Sequence, residues 1–187
     1  MKPVFLIGYM GCGKTTLGEV LARQMGLPYV DLDEYIERQQ GQTIVELFAG
    51  VGERRFREIE SAALREVAMM TDVIVGCGGG TPCHNDNMSL MNDAGITVWL
   101  VTSAERITAR LLLPEHKSKR PKIAELPDDE VFPLVERELK DREPYYSQAQ
   151  LQFDSTDIET GPATERTARR LAALLVGSVL ARVGKKM

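Results

Sequence analysis

Gly8-Tyr9-Met10-Gly11-Cys12-Gly13-Lys14-Thr15 has the spacing GxxxxGKT, the P-loop pattern of a turn that closes around phosphate. Glycines at 8, 11 and 13 permit the backbone angles that turn several amide N–H groups toward one anion. Lys14 adds mobile positive charge for the β- and γ-phosphates of a nucleoside triphosphate, and the Thr15 hydroxyl suits a magnesium ion bridging the same oxygens. A solvated glycine turn would leave this register of glycine, lysine and threonine unexplained. Asp31 and Asp33 are the next candidates. On an extended strand, residues two apart share one side, so both carboxylates would project from the carboxyl end of a second strand. Ligands bind at that edge of an open parallel sheet. One acid would hold a magnesium-bound water and the other a substrate hydroxyl; the alternative is that Asp33 caps the helix through Glu34-Tyr35-Ile36-Glu37-Arg38.

Three further stretches carry polar chemistry. Arg54, Arg55 and Arg57 lie within four residues; the first two read as a solvated, salt-bridged surface, while periodicity leaves Arg57, next to core-facing Phe56, either on that surface or pointing sideways into a cleft. Gly78-Gly79-Gly80 follows the apolar run Val73-Ile74-Val75, and bare backbone there lets a ligand approach closely. That run ends in Gly76, with no acid after it, which returns the metal-shell role to Asp31. Finally, Pro114 to Pro127 holds His116, Lys117, Lys119, Arg120 and Lys122 among three prolines. This basic segment reads as a mobile lid, with Arg120 reaching phosphates, because a planar guanidinium suits that contact.

The elements that position these residues alternate. Val4-Phe5-Leu6-Ile7 reads as a strand buried on both faces, followed by a helix to Met25. Thr43 with Glu46 forms a capping box for a short helix through Phe48. A longer helix spans Glu53 to Met70, with Phe56, Ile59, Ala63, Val67 and Met70 inward and Glu58 and Glu60 on other faces. Helices are expected from Asn85 to about Ala94-Gly95, from Ser103 to Leu113, from Asp128 to Ser147 and from Pro162 to Arg182. Strands are expected at Ile96–Val101 and Leu151–Asp154, leaving a frayed Lys185-Lys186-Met187. The sum is one α/β domain, residues 1–187, with a parallel five-stranded sheet.

Composition narrows the function. With 187 residues, 43% apolar and 27% charged, the chain is ordinary for a globular domain. No window approaches a membrane span, and a net charge of −4 argues against a general nucleic-acid binder. Met1-Lys2-Pro3 leads straight into the first strand, and Cys12, Cys77 and Cys83 form no disulfide framework, so a cytoplasmic protein with free thiols is expected. Cys83 beside His84 offers too few ligands for a metal.

Taken together, the residues resemble the shikimate kinases over nearly the whole chain. The likeness rests on Gly8 to Thr15, Asp31-Leu32-Asp33, Gly52 to Glu60, Gly78 to Gly80, Arg120-Pro121 and Arg142-Glu143-Pro144-Tyr145-Tyr146. It implies a three-layer αβα P-loop fold with a mobile lid. Gly11, Cys12, Gly13, Lys14, Thr15 and Thr16 would bind ATP as co-substrate, with Mg2+ on Thr15 and Asp31 in its second shell. Asp33 would bind the ring hydroxyls of shikimate and take the proton of the attacking 3-hydroxyl. Arg57 and Arg142 would pair with its carboxylate, and Gly79 would offer a backbone N–H. Lys14 and Arg120 would act with Asp33 in catalysis, and Arg110 would flank the adenine. The chain departs from the family at Gly76, commonly Ser or Ala, at Pro82, commonly aliphatic, and at Lys122-Ile123, commonly two leucines. The resemblance implies transfer of the γ-phosphoryl of ATP to shikimate, in aromatic amino-acid synthesis, by a monomer without nucleic-acid or membrane partners. A kinase of gluconate or a nucleoside monophosphate, or a nucleotide switch without transfer chemistry, are the rival readings.

Overall fold

Val4–Ile7 forms β1, and all four side chains are buried. In the computed structural model, which describes residues 1–117, 120–158 and 161–184, they divide by alternation. Phe5 and Ile7 enter one apolar core, Val4 and Leu6 the other. This is the period-two signature of a strand covered on both faces. The other strands are β2 (Tyr29–Asp31), β3 (Ile74–Gly76), β4 (Ile96–Val101) and β5 (Leu151–Asp154). All pair in parallel, in the order β2-β3-β1-β4-β5. The carboxyl ends of β1, β2 and β3 therefore share one edge, where the P-loop, Asp31 and the triple glycine emerge.

Two helices cover one face, α1 (Lys14–Met25) and α9 (Pro162–Gly184). Leu17, Leu21 and Ala22 of α1 share a core with Ala168, Leu171 and Leu175 of α9. The opposite face carries α2 (Leu32–Gln40), α3 (Ile44–Ala68), α4 (Asn87–Ala94), α5 (Ala104–Leu111) and α8 (Asp128–Tyr146). Between α5 and α8 lie α6 (Pro114–Lys117) and α7 (Pro121–Ala124). The three-layer αβα arrangement expected from the resemblance is present. Among the described residues no helix is long and apolar enough to cross a membrane.

Three local readings need adjustment, and one holds. The short helix after Thr43 and the longer one from Glu53 are both present, as the two helical stretches of α3 that meet at a kink at Gly52, whose φ of 74° and ψ of 167° suit glycine alone. The Thr43–Glu46 capping box is formed. The basic segment is not structureless, because Pro114 and Pro121 each open a single helical turn, the position where a missing N–H costs nothing. Asp33 does not lie on strand two: β2 stops at Asp31, which caps α2, and Asp33 sits in the first turn of that helix. Glu60, expected on an outer face, is buried. Lys119 and the Lys185–Met187 tail lie outside the described residues.

Candidate active site

The turn after β1 carries its glycines at φ 140° (Gly8), 79° (Gly11) and 97° (Gly13). Gly13 is the N-cap of α1, and its left-handed angle aims the first amides of that helix at the mouth of the turn. The Lys14 ammonium donates to the Gly8 and Tyr9 carbonyls at 2.8 and 3.0 Å. The Thr15 hydroxyl donates to Asp31 Oδ2 across a long 3.5 Å. A cleft of about 840 Å³ opens here, lined by Gly11, Gly13, Lys14, Thr15, Thr16, Asp31, Asp33, Gly76 to Gly79, Arg110, His116, Arg120 and Ile158, among others. Cys12 is different. Its side chain is fully buried, its carbonyl accepts from Ser155 Oγ at 3.1 Å and its backbone N–H donates to the Tyr9 carbonyl at 3.2 Å, so its side chain offers nothing to the cleft.

The second half of the site surrounds the triple glycine, each residue of which is crowded by a different functional side chain. A Cβ on Gly78 would lie 3.0 Å from Asp33 Oδ1, one on Gly79 3.3 Å from Arg142 Nη1, and one on Gly80 2.9 Å from Arg57 Nη2. An acid and two arginines from α2, α8 and α3 thus converge on one stretch of bare backbone. Tyr146 clamps that stretch by donating its hydroxyl to the Gly79 carbonyl at 2.6 Å. Arg57 and Arg142 adjoin the turn and are not among the residues that line the main cleft.

Each arginine is aimed by a carboxylate that the spacing did not single out. Glu60 accepts from Arg57 Nη1 at 2.9 Å and from the Thr81 hydroxyl at 2.7 Å. The Nε–H of Arg57 is buried without a hydrogen-bond partner. Glu138 accepts from Arg142 Nη2 at 2.6 Å, from the Tyr9 hydroxyl at 3.0 Å and from Lys122 at 3.2 Å. Burial opposes the charge on Glu138, yet Arg142, Tyr9 and Lys122 together hold its carboxyl below the ordinary range. A signal existed for both: Glu60 stands four residues after core-facing Phe56, and Glu138 stands four before Arg142 on one helix, the spacing at which helical side chains meet.

Asp33 behaves oppositely. Burial first, then the neighbouring charges of Asp31 and Glu60, push its carboxyl up to about 6, with Lys14 opposing. Its backbone N–H donates to Asp31 Oδ1 at 3.0 Å, which fixes the two acids relative to each other. Arg120 lines the cleft, and desolvation lowers its affinity for a proton; its Nη1 donates to the His116 carbonyl at 3.0 Å. Arg110 reaches the Gly11, Thr156 and Ile158 carbonyls at 3.1, 3.0 and 2.8 Å. It ties the loop after β5 to the P-loop. Arg54 and Arg55 pair with Glu58 on the surface, as expected.

No set of three or more His, Cys, Asp or Glu side chains among the described residues makes a metal cage. A hard cation at Thr15 and Asp31 would therefore draw most of its oxygens from phosphate and water, which is how magnesium is usually held at nucleotide sites.

Comparison with known proteins gives this arrangement its family. A family model described as shikimate kinase matches residues 10–173. A shikimate kinase of Bacteroides thetaiotaomicron is 42% identical over 175 residues, covering 94% of this chain and 99% of that one. A crystal structure of shikimate kinase from the same organism superposes with a TM-score of 0.89 at 41% identity, covering 93% and 98% of the two chains. The shikimate kinase of Acinetobacter baumannii in complex with shikimate gives 0.78 at 29%, covering 95% and 94%. The chain belongs to the shikimate kinase family.

Proposed function

We infer that the protein transfers the γ-phosphoryl group of ATP to the 3-hydroxyl of shikimate, giving ADP and shikimate 3-phosphate on the route to chorismate and the aromatic amino acids. The observation that carries the reading beyond family membership is the convergence of Asp33, Arg142 and Arg57 on Gly78, Gly79 and Gly80. An anionic polyol needs cations for its carboxylate and an acid for its hydroxyls, both within reach of the transferred phosphoryl group. The buried, unpartnered Nε–H of Arg57 favours an arriving carboxylate, since a buried charged donor left unpaired is costly.

Phosphoryl transfer asks the protein mainly for positioning and for cancellation of negative charge. The turn of Gly11 to Thr16 holds the phosphates through backbone amides. Lys14 leaves the carbonyls of Gly8 and Tyr9 for the β- and γ-phosphates, and Arg120 reaches the same oxygens from the lid. Arg57 and Arg142 hold the shikimate carboxylate, and the Gly79 N–H steadies the ring. Asp33 accepts the proton of the 3-hydroxyl as that oxygen attacks in line. Thr15 would ligate a magnesium ion, with Asp31 holding one of its waters; the ion, when bound, neutralises charge on the bridging phosphate oxygens. The segment from 114 to 127 closes over the site and excludes water. All these residues come from one chain, so a monomeric cytoplasmic enzyme built as a single domain suffices.

Release of ADP from Mg-ATP should therefore depend on shikimate and not on gluconate or CMP. Asp33→Asn should lower kcat by roughly 10²–10⁴, the usual scale for a lost general base. Arg57→Ala should act mainly on the KM for shikimate. Turnover with gluconate or CMP instead would overturn the substrate, and no acceptor-dependent turnover would point to a nucleotide switch.

A further inference from the structure

Tyr29, the first residue of β2, stands two positions before Asp31 and takes no part in the mechanism above. Two glycines make room for it. A Cβ on Gly18 of α1 would lie 2.4 Å from its ring Cε2, and a Cβ on Gly76 of β3 would lie 2.1 Å from its hydroxyl oxygen. Neither glycine has a positive φ, so what they supply is space, and that space brings a phenol to the edge of the phosphate site. The hydroxyl is shut off from solvent and meets no hydrogen-bond partner. The Asp31 carboxylate and the Thr15 hydroxyl, which leans toward it, act on it most strongly among side chains, with Cys77 and Glu19 behind them. Asp31 and Thr15 are held only by a 3.5 Å contact, long for a hydroxyl donor. A phenylalanine would fill the same volume without burying an unpaired oxygen, so the hydroxyl asks for a partner that arrives with a ligand.

We propose that Tyr29 is a positioning residue of the metal site, its oxygen accepting a hydrogen bond from a magnesium-bound water whose other proton goes to Asp31. The proposal rests on the reading that magnesium binds at Thr15. A metal-bound water commits a lone pair to the ion and has two protons to give. Asp31 takes one, and Tyr29 is the acceptor on hand for the second. With both engaged the water is oriented, and the phenol in turn gains the partner it otherwise lacks. Tyr29 acts through this water and touches neither ATP nor shikimate.

The experiment compares ADP binding calorimetrically with Mg2+ and with EDTA, in the parent, Tyr29→Phe and Thr15→Val. One water-mediated hydrogen bond corresponds to a loss of about fivefold to tenfold in affinity. Tyr29→Phe should lose that much with Mg2+ and less than about twofold in EDTA, while its thermal midpoint holds or rises and its KM for shikimate is unchanged. A purely structural tyrosine would move both affinities together or neither. An unchanged ratio of the two affinities in Tyr29→Phe, with the parent gaining from Mg2+ and Thr15→Val losing that gain, overturns the proposal alone. If the parent gains nothing from Mg2+, or Thr15→Val keeps the gain, the metal reading falls and takes the proposal with it.

Discussion

At Asp33 the fold works against the charge that the chemistry uses. Its carboxyl, ordinarily at 3.8, is raised to about 6 by burial and by Asp31 and Glu60, so the folded state binds a proton more tightly than the unfolded chain does. Stability therefore falls as pH rises from about 4 to 6, and the full penalty stands above that. Two units correspond to about 3 kcal/mol for a group this deeply buried. Metal-free Asp33→Asn should match the parent near pH 4 and melt several degrees higher at pH 8, as measured by thermal unfolding across that range. Equal midpoints at pH 8 would contradict the electrostatic account. Part of this scale was readable beforehand: glycine spacing named the turn after β1, and the family resemblance, not the spacing, grouped Asp33, Arg57 and Arg142. The partners of those charges were less readable. Glu138 serves Arg142 from within the same helix, but its value depends on Tyr9 and Lys122, which adjoin it only after folding.

The turn from Gly78 to Gly80 is the element to which the proposed function assigns substrate recognition, and arginines and an aspartate occupy the volume beside its residues. Gly80 has a φ of −89°, so alanine is tolerated by the backbone, and the added methyl meets the mobile end of Arg57 at 2.9 Å. Gly80→Ala should raise the KM for shikimate about tenfold or more, in keeping with a displaced charge-assisted contact. Its melting temperature should stay within a few degrees of the parent. A collapse of the fold with unchanged KM in the residual enzyme would show that the turn serves packing alone. Element boundaries followed the sequence wherever local chemistry set them, as in the Thr43–Glu46 box and the Ser103 cap of α5. They departed where a proline could either break a helix or begin one, and at Pro114 and Pro121 it begins one.

Across the whole molecule, a chain of net charge −4 gathers Lys14, Arg110 and Arg120 around one cleft, with Arg57 and Arg142 against the glycine turn at its edge. Ligands that bind only this folded arrangement stabilise it by mass action. ADP and shikimate, each at about 100 times its Kd, should add about 2.7 kcal/mol apiece and raise the melting temperature by roughly 5–10 °C each. Gluconate at the same concentration should leave it unmoved. Strand number and parallel pairing were legible from the alternation of apolar runs and helices, but the order β2-β3-β1-β4-β5 was not, because it records which distant segments pack together. That order has a temporal side. The helix that leaves the P-loop, α1, rests on α9, through Leu17 and Leu21 against Ala168 and Leu171 and through Arg23 bonded to Glu165 at 2.7 Å. The glycine turn and α1 leave the ribosome well before the helix that supports them, since Arg23 and Glu165 stand 142 residues apart. At about 5–20 residues per second, the nascent chain spends many seconds with the apolar side of α1 uncovered before α9 can pack on it.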